Sequence, residues 1–179
     1  MVPMSEISIT SRETHYRGKA FDVERVTFSM PNGKQPTYDL VVHPGAAVVL
    51  PIDGEGNILF VRQWRLGAEQ ALLELPAGTL NAQEAPIECA RREVREETGM
   101  AAAQLTQIGS FYLTPGYSNE HLVIFLAKGL SPAPLQQDED ELIDLVRIPI
   151  QDAYQMAADG RIMDGKTLAS LLLAEGLIR

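Results

Sequence analysis

The sequence predicts an α+β fold. Three observations carry that prediction: short β-prone runs outnumber helical ones, one acid-rich segment with helical spacing interrupts them near residues 85–98, and the apolar period turns helical again only beyond residue 150.

From the N-terminus, Phe21–Met30 (FDVERVTFSM) mixes apolar and polar residues as a strand does. PNGK follows as a turn and PTYDLVVH is again β-prone, so this stretch reads as a hairpin. GAAVVLPI and NILFVRQW are apolar, β-rich runs joined by DGEGN, whose Asp, Gly and Asn residues tolerate a tight backbone. They read as a second hairpin, more deeply buried. The acid-rich helix is expected from Ala85 to Thr98, because Pro86 suits a first turn and Gly99 suits a stop. LTQIGSFYL and EHLVIFLAKGL are expected strands flanking the loop TPGYSNE. The polar stretch SPAPLQQDEDE then leads into LIDLVRIPI. Finally, QDAYQMAADGRI and GKTLASLLLAEGL space their apolar residues for two short helices, each ending near a glycine. No internal repeat or low-complexity tract interrupts the series.

At 179 residues the chain is long enough for one domain with a sizeable core, plus at most a small accessory element. A hydrophobic share of 45% with 22% charged residues is that of an ordinary globular protein. The net charge of -9 and pI near 4.8 argue against non-specific binding to nucleic acid or to anionic membranes, both of which rest on a positive field. An anionic ligand would need local arginines or a bound cation. Cys89 is the only cysteine, so no intrachain disulfide can form, and the N-terminal residues show neither a basic leader nor a secretory apolar core. The expected location is the reducing cytoplasm.

On the predicted helix, roughly 100° per residue puts Ile87, Ala90 and Val94 on one face and Glu93, Glu96 and Glu97 together on the next. Like charges packed this closely cost stability unless neutralised, and Arg91, Arg92 and Arg95 answer only part of the field. A solvated face of surface ion pairs is the bland alternative. A divalent cation is the functional one, and hard oxygen donors favour Mg²⁺, with Mn²⁺ as a substitute, usually bridging to substrate phosphates.

The wider pattern decides between them. Gly78, five residues, Glu84, seven residues, then Arg92-Glu93-Val94-Arg95-Glu96-Glu97-Thr98-Gly99-Met100 matches the Nudix box at every fixed position. Seven fixed matches, each at roughly 7% frequency, arise by chance on the order of once in 10⁸. The chain therefore resembles the Nudix hydrolases, which cleave nucleoside diphosphates linked to another moiety. VRQWR, LLELPAG and TPGYSNE, with Pro115 about fifteen residues beyond the box, resemble the ADP-ribose pyrophosphatase subgroup. Hydrolases of other nucleotide sugars, GDP-mannose among them, share much of this flanking pattern.

The resemblance implies an α/β/α sandwich with a mixed central sheet over residues 45–179 and an N-terminal β-hairpin arm, residues 1–44, that serves a homodimer. It implies that Glu93, Glu97 and the Ala77 carbonyl hold metal, with Glu96 as a further or water-mediated ligand, and that Arg92 pairs with Glu84 to hold the carboxylates in place. Gly78 and Gly99 would serve backbone geometry. Arg65 would contact substrate phosphates or lie idle on the surface. Glu74 would support the metal site or be an exposed strand residue, and Glu120 would bind substrate or metal. The water would lose its proton to a late-loop glutamate, Glu141 in preference to Glu139. Tyr16, Phe21 or Phe28 would stack on a base or fill the hairpin core. His43 and His121 fit structural or surface roles. The expected reaction is Mg²⁺-assisted hydrolysis of ADP-ribose to AMP and ribose 5-phosphate. A hydrolase of other nucleotide sugars and a non-cleaving ADP-ribose sensor are the rival readings.

Overall fold

β4 (Ala46–Pro51) is buried along its whole length, and the rest of the larger part of the molecule is arranged round it. The structure is a computed structural model that describes residues 6–136 and 142–178. In a four-stranded sheet, β4 lies between β7 (Ala77–Thr79), antiparallel to it, and β9 (His121–Pro132), parallel to it. β8 (Met100–Tyr112) completes the order β7-β4-β9-β8, so the sheet is mixed.

Successive residues of a strand point to opposite faces, and both faces here are apolar. Ala47 and Val49, with Val123, Phe125 and Ala127, pack on Cys89, Ala90 and Val94 of α1 (Pro86–Thr98). Val48 and Leu50, with Leu122, Ile124 and Leu126, face a second sheet, ordered β10-β5-β6, made of β5 (Asn57–Arg65), β6 (Gln70–Glu74) and β10 (Ile143–Pro149). Ala153 of α2 (Ile150–Ala158) and Leu171 and Ala174 of α3 (Gly165–Ile178) close that side. Helices thus cover both faces of a mixed sheet, the α+β layering expected for the sandwich.

The expected hairpin between residues 45–52 and 57–64 is not formed. Asp53 does build the turn, its Oδ1 accepting from the amides of Glu55 and Asn57 at 2.9 Å. Past it, however, β5 pairs with β10 and β6, and a lone bridge, Ile52 to Ile58, is left between the two runs. A strand buried on both faces is stabilised by neighbours on both edges, and β9 and β7 fill those places.

α1 begins and ends as the sequence predicts. Ala85 is extended, Pro86 opens the first turn, and Gly99, at φ 71°, donates its N–H to Arg95 O at 3.1 Å. α2 stops before Gly160, but α3 runs through Gly176 to Ile178. Ile178 packs against the main core, which offsets the small helical penalty of a glycine. β6 and β7 are short strands whose bounds no alternation in the sequence marks, and β8 starts at Met100, directly after the helix stop.

Contacts divide the chain into two units: the residues up to Gly45 with Tyr112–His121, and Ala46–Phe111 with the residues from Leu122 onward. In the first unit β2 (Asp22–Ser29) and β3 (Thr37–Val42) form the predicted antiparallel hairpin, from Asp22↔Val42 to Thr27↔Thr37. A further strand, β1 (Ser8–Arg17), pairs along the other edge of β2 with two register shifts. The 112–121 segment attaches to β3 through Val41 N–H to Tyr117 O at 2.8 Å and Asn119 N–H to Val41 O at 3.1 Å.

Candidate active site

Glu93 and Glu97 lie on the inward side of α1 with the apolar residues. They are only 7% and 4% exposed, while Glu96 is half-buried. Burying carboxylates is costly unless they are paired. Arg92 supplies most of the pairing: Nε and Nη2 each donate to a Glu84 oxygen at 3.0 Å, Nη1 reaches Glu96 Oε2 at 3.0 Å, and Nη1 also meets Glu93 Oε1. The bidentate Arg92–Glu84 contact implied by the resemblance is therefore present, and it holds Glu84 below the usual carboxylate range while raising Arg92 above its own. Arg91 turns to Glu88, and Arg95 Nε donates to Ala133 O at 2.9 Å. Three carboxylates, of Glu84, Glu93 and Glu96, meet the Arg92 guanidinium, and Glu97 stands on the same side of α1, a concentration of negative charge that suits a cation.

The link between β6 and β7 runs beside these carboxylates. Ala77 N–H donates to Glu97 Oε2 at 3.1 Å. Gly78 serves a purpose other than the expected backbone geometry. Its φ is not positive, but a Cβ built on it would overlap Glu93 Oε1 and Cδ, so this glycine clears room for a carboxylate. Cys89 donates its thiol to Gly78 O at 3.3 Å, and burial, aided by the charge of Glu93, pushes its pKa up to about 12. No three Asp, Glu, His or Cys side chains among the described residues already converge on a single ion position. The donors of this cluster are hard carboxylate oxygens, the type that suits Mg²⁺ or Mn²⁺. The residues present fit such an ion.

Arg65, at the end of β5, is not idle. Nε and Nη2 donate to the two oxygens of Glu74 at 2.8 and 2.7 Å, and the negative field acting on the guanidinium extends to Glu97. The alternative of Glu74 as an exposed strand residue fails, since it is 1% exposed. Burial raises its pKa, but Arg65 and Lys166 more than offset that and hold it below the usual carboxylate range. Lys166 is a participant that sequence reasoning missed. Its ammonium meets Glu74 Oε2 and lies 3.2 Å from Asp164 Oδ1. The signal was available: Asp164, three residues before Thr167 at the start of an apolar run, reads as a helix N-cap.

Glu139 and Glu141 lie outside the described residues. A cleft of about 360 Å³ beside Glu96 and Glu97 is lined by Leu135 and Ile143, which precede and follow those two glutamates in sequence. Leu135 N–H also bonds to Arg95 O at 3.3 Å and Ala133 N–H to Gly99 O at 2.9 Å, which lays the segment after β9 along the end of α1. Tyr16, Phe28 and Glu120 belong to the first unit. Tyr16 and Phe21 are 57% and 43% exposed, so they do not fill a hairpin core, whereas Phe28 stacks on Tyr38 at 5.8 Å between ring centres. Glu120 N–H donates to Ser118 Oγ at 3.1 Å. His43 Nδ1 accepts from Gly45 N–H at 3.1 Å, and His121 packs on the Tyr112 ring.

Residues 41–171 match the family model described as NUDIX domain. An ADP-ribose pyrophosphatase of Bacillus subtilis (strain 168) is 37% identical over 159 residues, covering 88% of this chain and 86% of its own. A GDP-mannose pyrophosphatase of Yersinia pestis (strain Pestoides F) is 37% identical over 141 residues, or 73% of this chain and 70% of its own. Among solved structures, the crystal structure of an ADP compounds hydrolase aligns with a TM-score of 0.84 at 27% identity, over 96% of this chain and 93% of that one.

Proposed function

Because the chain belongs to the Nudix family of hydrolases, we propose that it cleaves ADP-ribose to AMP and ribose 5-phosphate in a Mg²⁺-dependent reaction. The observation that carries this reading is the burial of Glu93 and Glu97 beside a glycine that makes room for one of them, in a cluster whose carboxylates exceed its arginines. Nudix hydrolases generally need a divalent metal. Glu93, Glu96, Glu97 and the Ala77 carbonyl would hold it here, and when bound the ion supplies positive charge to the diphosphate and acidifies an attacking water.

The remaining work falls to the chain. Arg92, locked on Glu84, keeps the carboxylates from swinging away. Arg65 spends Nε and Nη2 on Glu74 and presents the rest of its guanidinium to a phosphate oxygen. A glutamate of the segment after Leu135, Glu141 ahead of Glu139, accepts the proton of the water. The path of Ala133 and Leu135 along the end of α1 supports that assignment. On the first unit the exposed ring of Tyr16, and Phe28, offer faces to a nucleobase, and Glu120 a polar contact. Exposed Ile9, Tyr16 and Tyr38 on the same unit support a homodimer formed through it, which light scattering would check: a monomer at micromolar concentration excludes it.

The test is a panel of ADP-ribose, GDP-mannose, UDP-glucose and dinucleotides incubated with Mg²⁺, with products identified. ADP-ribose should be the preferred substrate and Glu97→Gln should abolish its turnover with the fold intact. Full activity in that variant refutes the metal assignment. The GDP-mannose pyrophosphatase relative makes a nucleotide-sugar hydrolase the second reading, and preferential cleavage of GDP-mannose would establish it.

A further inference from the structure

The Glu74 carboxylate is approached by cations from two directions. Arg65 closes on both oxygens, and Lys166 from α3 meets Oε2 as well. The Lys166 side chain is 13% exposed, and its ammonium is itself braced by Asp164. Asp164 is in turn fixed. Its Oδ2 caps α3, accepting from Thr167 N–H at 2.9 Å and from Thr167 Oγ1 at 2.6 Å. Thr167 Oγ1 then accepts the N–H of Leu75 at 2.8 Å. The first turn of α3 therefore grips the backbone just after Glu74 and, through Lys166, the Glu74 carboxylate itself.

Stability by itself does not require a second cation on Glu74. Replacing buried charges by apolar side chains of similar volume is often neutral or favourable, so a half-hidden group of Arg65, Glu74, Lys166 and Asp164 is weak evidence for a structural purpose. Its geometry has a different consequence. A carboxylate bound only by Arg65 could turn about its last torsion and carry the guanidinium with it, whereas a second cation on Oε2 removes that freedom.

We propose that Lys166 is a positioning residue for substrate: by pinning the Glu74 carboxylate it sets where the Arg65 guanidinium stands, and so tunes affinity for the diphosphate. The inference rests on the reading of Arg65 as a phosphate contact.

The test measures ADP-ribose binding by calorimetry in EDTA, with kcat and KM determined in parallel in Mg²⁺, for Lys166→Met, Lys166→Arg, Arg65→Ala and the double variant Arg65→Ala/Lys166→Met. Lys166→Met should weaken binding and raise KM by about tenfold, as expected when one charge-assisted hydrogen bond to the diphosphate is forfeited. Its kcat should stay within about twofold, as for a loss of uniform binding. Lys166→Arg should restore most of the affinity. In the Arg65→Ala background, Lys166→Met should cost nothing further, because the lysine acts only through the arginine. Unchanged affinity in Lys166→Met, or an equal loss in both backgrounds, overturns the proposal. If Arg65→Ala binds ADP-ribose like the parent, the phosphate-contact reading falls and this inference with it, while hydrolysis by the parent protein still stands. Urea melts check folding, and Lys166→Gln takes the place of Lys166→Met in the same comparisons if the latter is unfolded.

Discussion

Gly78 lacks a side chain because Glu93 occupies the space a Cβ would need. The box residues usually thought of as scaffold and as chemistry are thus one steric unit here. Gly78→Ala should therefore act on the carboxylate more than on the fold. Overpacking of this kind costs about 1–3 kcal/mol, which urea denaturation would register. If Glu93 holds metal as proposed, displacing it should lower kcat/KM by about a hundredfold or more, and steady-state kinetics would measure it. Wild-type turnover in this variant would mean that Glu93 is not needed where it stands. Cys89 illustrates the opposite case. It is chemically conspicuous in the sequence, yet burial and the neighbouring Glu93 keep its thiol protonated at neutral pH, with its hydrogen bonded to Gly78 O.

Among the elements, α1 is legible almost to the residue, because its stop signals and apolar spacing are local properties. β1 is not. All ten of its side chains are exposed, so no alternation of apolar and polar residues marks it, and only pairing with β2 makes it a strand. The β4 and β5 runs read correctly as strands and wrongly as partners, since a run that is apolar on both faces records burial and says nothing about which neighbour supplies it. The tie between α3 and the β6–β7 link is also an element-scale property. Thr167 is fully buried and its Oγ1 satisfies the Leu75 amide. Thr167→Val keeps the shape and leaves that N–H without a partner, so unfolding free energy in urea should fall by about 1–3 kcal/mol. No loss would show that the amide finds another acceptor.

At the scale of the molecule, acid should weaken the fold by a route that can be assigned. The hydrogen bond from Arg92 holds Glu84 below its ordinary pKa. For Glu74 burial pushes upward, but Arg65 and Lys166 outweigh it. A folded-state pKa below the unfolded value, near 4.3, contributes stability in full above that value and loses it as pH falls through the folded one. Glu74→Gln should accordingly be less stable than the parent by a constant margin from about pH 7 to 5, and the margin should shrink below about pH 4, as thermal melts across pH would show. A margin unchanged down to about pH 3 would mean that ionisation of Glu74 adds nothing. Among the described residues no helix is long and apolar enough to cross a membrane.

Pro86, Gly99 and the apolar spacing between them sufficed to define the α1 helix and its acidic face, because residues three and four apart on a helix meet by periodicity alone. The Arg92–Glu84 pair, by contrast, was implied by the family resemblance, since Glu84 precedes the helix. Only the tertiary structure decided that Gly78 yields space to Glu93, that Glu74 is hidden between Arg65 and Lys166, and that Thr167 holds Leu75. The last two contacts join residues 92 positions apart, Glu74 to Lys166 and Leu75 to Thr167. Nothing in local spacing encodes such meetings. They arise when the sheets and α3 close on a shared apolar core, and the charges they bury are tolerable only because that closure brings every one of them a partner.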